Sequence, residues 1–103
     1  GDYNYAASVY NGYLNKYGEN ASVYNQLGLC EMKKKDYAKA LEAFQKGKLL
    51  TDNEVLQSLS FNEIVAYEYL SEYKEALRLL EQYIKNYPDD ETAKRERQFL
   101  STR

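Results

Sequence analysis

The sequence predicts an all-α fold in which about six amphipathic helices stack as successive pairs. The first observation is an internal repeat of the pattern Tyr-x-x-Ala, whose alanines are Ala6, Ala40 and Ala76, 34 and 36 residues apart. The second is the helical spacing of apolar residues in 21–53, since positions i, i+3, i+4 and i+7 share one face of a helix. The two helices of this pair carry Tyr24, Leu27 and Gly28, then Tyr37, Ala40 and Phe44. A repeat of this length is typical of stacked helical units.

The composition excludes several classes of function. Hydrophobic residues make up 44% and charged residues 29% of the 103-residue chain, which suits one small folded domain. No apolar run approaches the roughly 18 residues of a membrane-spanning helix, so no direct membrane insertion is expected. A net charge of −2 and a pI near 5.2 argue against nucleic acid as a partner, because phosphate binding needs concentrated positive charge.

Residues 1–20 are expected to hold a half repeat, the second helix of an incomplete pair, over 3–17. Gly18 can take the left-handed conformation that ends a helix, and Asn20 can cap the helix that follows. The apolar face of this first helix is predicted to comprise Tyr3, Ala6, Tyr10, Tyr13, Leu14 and Tyr17.

A full repeat is predicted over 21–53, with helices at 21–34 and 37–50. Gly28 should let the second helix approach closely, in spite of a helix-propensity cost of about 1 kcal/mol. Lysines 33–35 suit the carbonyl end of one helix, and Asp36 suits the amide end of the next. The inward residues of the second helix are expected to be Ala40, Leu41, Phe44 and Gly47.

A second full repeat is predicted over 54–88. Thr51 and Glu54 can form a capping box before a helix at 54–70. The inward residues of that helix are expected to be Leu56, Leu59, Ile64 and Tyr67. A helix at 73–87 should end before Pro88 and bury Ala76, Leu77, Leu80, Tyr83 and Ile84.

Residues 89–103 are expected to form a C-terminal capping helix. They begin with acidic residues suited to a helix N-terminus and are then largely charged. Only Ala93, Phe99 and Leu100 are clearly apolar, so the helix should present one thin apolar stripe, as a solvated cap over a repeat stack does.

These residues give the chain a resemblance to the tetratricopeptide repeat family, whose period is 34 residues. The resemblance implies a single domain over 1–103 with the α-α superhelix of that family. Tyr24 replaces the tryptophan usual in the family and Asp52 the usual proline, whereas Pro88 matches. The positions that fit the family pattern in the first full repeat are Tyr24, Leu27, Gly28, Ala40 and Phe44.

The second full repeat departs from the pattern. Glu63 and Ile64 stand where Leu27 and Gly28 stand in the first repeat, and Ser60 stands opposite Tyr24. We interpret this as an exchange, in which the larger Ile64 fills space released by the smaller Ser60. A buried, unpaired Glu63 would be costly, so we expect it to be paired or at an edge.

An enzymatic function is not predicted. The chain has no histidine and one cysteine, Cys30, which excludes imidazole acid–base chemistry, a zinc site and an internal disulfide. Cys30 is expected to be a small buried residue instead. Asp89, Asp90 and Glu91 suit a helix start better than a metal site. No cofactor is expected.

In the family, the first helix of each pair lines a concave surface that binds extended peptides or helices. Carried onto this chain, the resemblance predicts partner-binding residues at Ser22, Asn25, Leu29, Met32, Lys33, Phe61, Asn62, Val65, Glu68, Tyr69 and Arg95. The apolar members of this set should form an exposed strip of the kind that marks an interaction surface. For Leu29 and Val65, packing between adjacent helices is nearly as good an interpretation.

The leading functional prediction is therefore a non-catalytic scaffold that binds a peptide or helix of a partner protein. The alternative is a structural segment of a larger, exported or lipid-anchored protein that self-associates. A homodimer through the tyrosine-rich first helix is one form of that alternative. The compartment stays open, with the cytoplasm as the default, because Gly1-Asp2 does not resemble a natural start.

Overall fold

The computed structural model describes residues 2–50 and 54–102, and over these residues it contains six α-helices and no strand. The helices are α1 (Tyr3–Tyr17), α2 (Ala21–Lys33), α3 (Tyr37–Lys48), α4 (Leu56–Tyr69), α5 (Tyr73–Asn86) and α6 (Glu91–Leu100). The predicted all-α helix-pair fold is confirmed, and the predicted bounds of α1 to α5 agree within two residues.

The helices follow one another along a stack of 42 × 28 × 20 Å. Each helix packs against the next one in the chain, and α2 also contacts α4. Because α2 and α4 are the first helices of successive pairs, this contact aligns them side by side along one surface. Every helix among the described residues is too short or too polar to cross a membrane.

The connection between α1 and α2 has the two predicted caps. Gly18 has a φ of +90°, which a residue with a side chain rarely adopts, and its N–H donates to the Leu14 carbonyl at 2.9 Å. The Asn20 side chain accepts a hydrogen bond from the Val23 N–H at 3.0 Å and so begins α2.

The pair α2–α3 is held by the predicted close approach at Gly28. A Cβ atom built on Gly28 would lie 2.6 Å from Cδ1 of Phe44, which leaves no room for a side chain there. Phe44 is fully buried and packs in one cluster with Ala40 and Leu59. The core of the first repeat thus extends into α4.

The turns that close the two helix pairs repeat each other in detail. Lys35 has a φ of 65° and Ser71, 36 residues later, a φ of 62°. In each turn the following residue donates its N–H to a carbonyl five residues earlier, at 2.9 Å in both cases: Asp36 to Glu31, and Glu72 to Tyr67. The 36-residue alignment of the two pairs is therefore structurally correct.

The start of α4 differs from the prediction. Thr51, half of the proposed capping box, lies outside the described residues, and the helix begins at Leu56 rather than at 54. Val55 occupies the N-cap position without a side-chain cap hydrogen bond. The inward placement of Leu56 was wrong: it is the first residue of α4, and its side chain is exposed.

Two departures of the second repeat, Ile64 and Glu63, are both buried in α4. Ile64 is buried in one cluster with Ala76 and Leu80. Glu63 is only 5% exposed, and its Oε1 lies 2.6 Å from Nζ of Lys48 on α3. The predicted pairing of Glu63 is therefore confirmed.

The predicted apolar face of α1 needs a correction. Ala7, absent from that prediction, is its buried residue, and Tyr10 and Leu14 pack beside it against Leu27 and Ala43. The physical reason is that α1 packs mainly against α2 and reaches α3 only at Ala43, so only a narrow stripe is covered among the described residues. Three of the predicted residues are exposed: Tyr3, Tyr13 and Tyr17.

Candidate functional site

A groove of about 470 Å³ runs between the C-terminal halves of α2 and α4. Six of the eleven predicted partner-binding residues line it: Leu29, Met32 and Lys33 from α2, and Asn62, Val65 and Tyr69 from α4. Lys35 and Tyr37 from the α2–α3 turn and Phe44 from α3 complete the lining.

The helical period explains why these residues converge. Leu29, Met32 and Lys33 are spaced i, i+3 and i+4, and therefore share one face of α2. Asn62, Val65 and Tyr69 are spaced i, i+3 and i+7 and share one face of α4. Gly28 lies on a neighbouring face of α2 and packs against Phe44 of α3. The face with Leu29, Met32 and Lys33 is therefore left for the groove.

The wall of the groove is apolar but accessible. Phe44 is fully buried at its base, and Met32 and Val65 are half-buried above it. Leu29 is 38% exposed and Tyr69 59% exposed. Large apolar side chains thus remain available to a ligand along the whole groove.

A partly buried hydrogen bond joins α2 and α4 beside the groove. The Asn62 side-chain amide donates to Oδ1 of Asn25 at 2.9 Å, and Asn25 is buried. This bond crosses directly from α2 to α4. The bond links the two walls of the groove. Because Asn25 is buried, it lies beneath the surface that it was predicted to form.

The groove lining includes a pair of stacked tyrosines. The rings of Tyr37 and Tyr69 have centroids 4.8 Å apart and an interplanar angle of 18°. Sequence reasoning placed Tyr69 in the site but missed Tyr37 and Lys35, which it assigned to the repeat motif and the turn. The recurrence of Tyr37 in the repeat pattern marked it as a structural residue but did not indicate a place in the groove. Its contact with Tyr69 follows from the turn before α3, in which Lys35 has a positive φ.

The remaining predicted residues lie outside the groove lining. Ser22 is exposed near the start of α2, and Glu68 is half-buried on α4. Phe61 packs edge-on against Tyr83, with ring centroids 5.5 Å apart. Arg95 lies on α6, where its guanidinium donates to Oγ1 of Thr92 at 3.4 Å.

The charged residues that line the groove are both lysines, Lys33 and Lys35. Neither forms an ion pair with any residue in the described ranges. Lys34, between them, is instead paired with Glu31 at 2.9 Å, and the hydrogen bond to the Glu31 carboxylate raises the pKa of Lys34. The groove therefore carries local positive charge on a chain whose net charge is −2.

Cys30 lies on the other side of α2 from the groove. It is half-buried and packs against the cluster of Ala7, Leu27 and Ala43. Burial raises the pKa of its thiol, which favours the protonated, weakly nucleophilic form.

A comparison with protein families finds one family that matches most of the helices described above. The tetratricopeptide repeat family matches the chain at residues 21–53, which cover α2 and α3, and again at residues 61–90. No curated protein sequence matches the chain. The chain belongs to the tetratricopeptide repeat family, whose repeats generally mediate protein–protein interactions.

Proposed function

We propose that the chain is a non-catalytic interaction module that holds a peptide or helical segment of a partner protein in the groove between α2 and α4. The observation that carries this proposal is an accessible apolar groove of about 470 Å³ between the first helices of two successive pairs. Stacked helix pairs use such concave surfaces for binding.

The exposed aromatic and aliphatic groups of the groove support the proposal. Tyr69 and Leu29 project large apolar surfaces into solvent at the groove walls. Binding energy at protein interfaces is concentrated in a few such residues, and tyrosine is among the most frequent of them. The groove thus has the chemical character of an interaction surface.

The rigidity of the groove also supports binding. The Asn25–Asn62 hydrogen bond and the Tyr37–Tyr69 stack hold both walls in place before any ligand arrives. A preformed site loses less conformational entropy on binding than one that must be ordered by its ligand.

A selection from a displayed random-peptide library tests this proposal. Peptides enriched on the native chain should lose binding to Leu29→Asp, which places a charge on the groove wall. The matched control is Leu49→Asp, because Leu49 is 81% exposed at the end of α3 and lies outside the groove lining. Equal binding to the two variants, or no enriched peptide, would contradict the proposal. Circular dichroism checks that each variant is folded.

Self-association through α1 is a second candidate function, favoured by its uncovered aromatic side chains. Tyr5 is 70% exposed, and Val9, Tyr13 and Tyr17 are exposed as well. Contiguous exposed apolar groups of this kind mark interaction surfaces. Light scattering coupled to size-exclusion chromatography should then report a dimer that Tyr5→Ala weakens, and a strict monomer would rule this candidate out.

A further inference from the structure

The lysines of the groove indicate what its ligand carries. We infer that the groove binds a segment in which an acidic side chain stands next to apolar ones, and that it discriminates against basic segments. This inference rests on the proposed function and adds the chemical class of the partner. It concerns side-chain carboxylates within a segment rather than a free C-terminal carboxylate.

Charge complementarity is the first step of the inference. Lys33 and Lys35 line the groove, and neither has an ion-pair partner among the described residues. Interfaces arrange opposite charges across the contact, which sets partner choice and association rate. A carboxylate on the ligand would supply the partner that both ammonium groups lack.

The position of Lys33 by itself has a simpler explanation. Lys33 is the last residue of α2, where a cation interacts favourably with the helix dipole. Lys35 lies two residues beyond the end of α2, where the dipole interaction is weaker, so the dipole explains its residue type less well. The inference therefore depends mainly on Lys35.

The backbone at Lys35 gives the second step. Its φ of 65° lies in the left-handed region, where glycine or asparagine is favoured and other residues are strained. Ser71 occupies the equivalent turn with a φ of 62° but lies outside the groove lining. A lysine at the strained position that borders the groove points to a role for its ammonium group in binding.

The apolar neighbours of the lysines give the third step. Lys33 and Lys35 line the same groove as Met32 and the Tyr37–Tyr69 stack. The aromatic pair and the lysine stems can cover an apolar ligand side chain while the ammonium groups reach a carboxylate. An acidic residue adjacent to an apolar one satisfies both parts of this surface.

The composition of peptides selected from a displayed library is the first test. The library presents internal segments without a free C-terminus, so any carboxylate that the groove recognises belongs to a side chain. We expect enrichment of aspartate or glutamate beside leucine, methionine or aromatic residues. The most enriched peptide, made with an amidated C-terminus, should lose up to about fivefold in affinity for each carboxylate replaced by its amide.

The Lys35→Gly and Ser71→Gly variants provide a matched pair for the second test. Both variants place glycine at a position with left-handed backbone conformation and so remove the strain of a residue with a side chain. Both should therefore raise thermal stability. Only Lys35→Gly should weaken the acidic peptide, by up to about fivefold, and it should leave the amide version unchanged. Raising the salt concentration should weaken the acidic peptide alone.

The outcomes separate this inference from the proposed function. Enriched peptides without acidic residues, or equal binding of the acidic peptide to Lys35→Gly and Ser71→Gly, would overturn the inference. If those peptides still fail to bind Leu29→Asp, the proposed function stands. If no peptide is enriched, or Leu29→Asp has no effect, both fall.

Discussion

The ring of Phe44 packs directly on Gly28 and occupies the space that a side chain at position 28 would need. A Cβ atom there would lie 2.6 Å from Cδ1 and 2.7 Å from Cζ of the ring. Phe44 is fully buried, so it cannot move aside into solvent. This contact sets the separation of α2 and α3, and with it the position of the groove face of α2.

The variant Gly28→Ala should therefore destabilise the fold. Overpacking costs about 1–3 kcal/mol, which exceeds the gain of up to about 1 kcal/mol from the better helix propensity of alanine. Urea unfolding measures the difference. Gly12→Ala in α1 is the matched control, because nothing lies within 4 Å of a Cβ there and only the propensity gain remains. The two variants should shift stability in opposite directions; a stabilised Gly28→Ala would refute the packing argument.

The sequence could predict this contact because its chemistry is local and repeated. A glycine and an aromatic residue at fixed places in a helix pair are typical of close helix packing, and Gly28 and Phe44 hold those places. The buried alanines outside the repeated pattern were harder to predict. Ala7 and Ala66 are both buried, but a small side chain adds little to a hydrophobic pattern.

The buried ion pair between Lys48 and Glu63 should respond non-additively to mutation. Lys48→Met removes the partner of a carboxylate that is only 5% exposed, and we expect a loss of about 1–3 kcal/mol in unfolding free energy. Glu63→Leu introduces the residue type of the equivalent Leu27. Adding it to Lys48→Met should restore most of the stability, because an apolar pair can replace a buried ion pair.

A double-mutant cycle from urea unfolding measures this coupling. Additive losses from Lys48→Met and Glu63→Leu would mean that the two side chains do not interact in solution.

Asp90 should contribute a pH-dependent part of the stability. Its carboxylate accepts hydrogen bonds from the Tyr83 hydroxyl at 2.6 Å and the Ala93 N–H at 3.1 Å, and these bonds lower the pKa of Asp90. A lowered folded-state pKa means that the stabilisation is present above the unfolded pKa of about 3.9 and is lost as the pH falls through the folded pKa.

Asp90→Asn retains an N-cap oxygen but removes the charge. It should cost about 1 kcal/mol at neutral pH, the difference between a charged and a neutral hydrogen bond. The gap in unfolding free energy between native chain and variant should close in urea titrations as the pH falls through the lowered folded-state pKa of Asp90. A gap that stays constant with pH would show that the charge of Asp90 is not involved.

Tyr69 should matter more for binding than for folding. It is largely exposed and stacks on Tyr37, so Tyr69→Ala should change the unfolding free energy by no more than about 1 kcal/mol. Loss of an interface tyrosine costs about 2 kcal/mol in binding, which is near thirtyfold in affinity. Calorimetry with a library-selected peptide measures it. Tyr5→Ala on α1 is the control and should leave the affinity unchanged; equal losses in the two variants would count against the groove.

Sequence reasoning reached six of the nine residues that line the groove, for a physical reason. Residues on regular helices, such as Leu29 and Val65, follow the helical period and can be assigned to a face from the sequence. Lys35 and Tyr37 enter the groove through a turn whose direction depends on one backbone angle. Phe61 followed the period as well, but its contact with Tyr83 depends on how α4 packs against α5, which no local pattern encodes.

The central claim is that a partner segment binds between α2 and α4, and the methyl group of Met32 reports on it most directly. Met32 lines the groove, and it is the single methionine of the 103-residue chain, so methyl-labelled protein gives one methionine signal. Titration with a library-selected peptide should shift or broaden that signal in proportion to the bound fraction. Saturation of the protein with peptide while the Met32 methyl signal stays unchanged would contradict the claim.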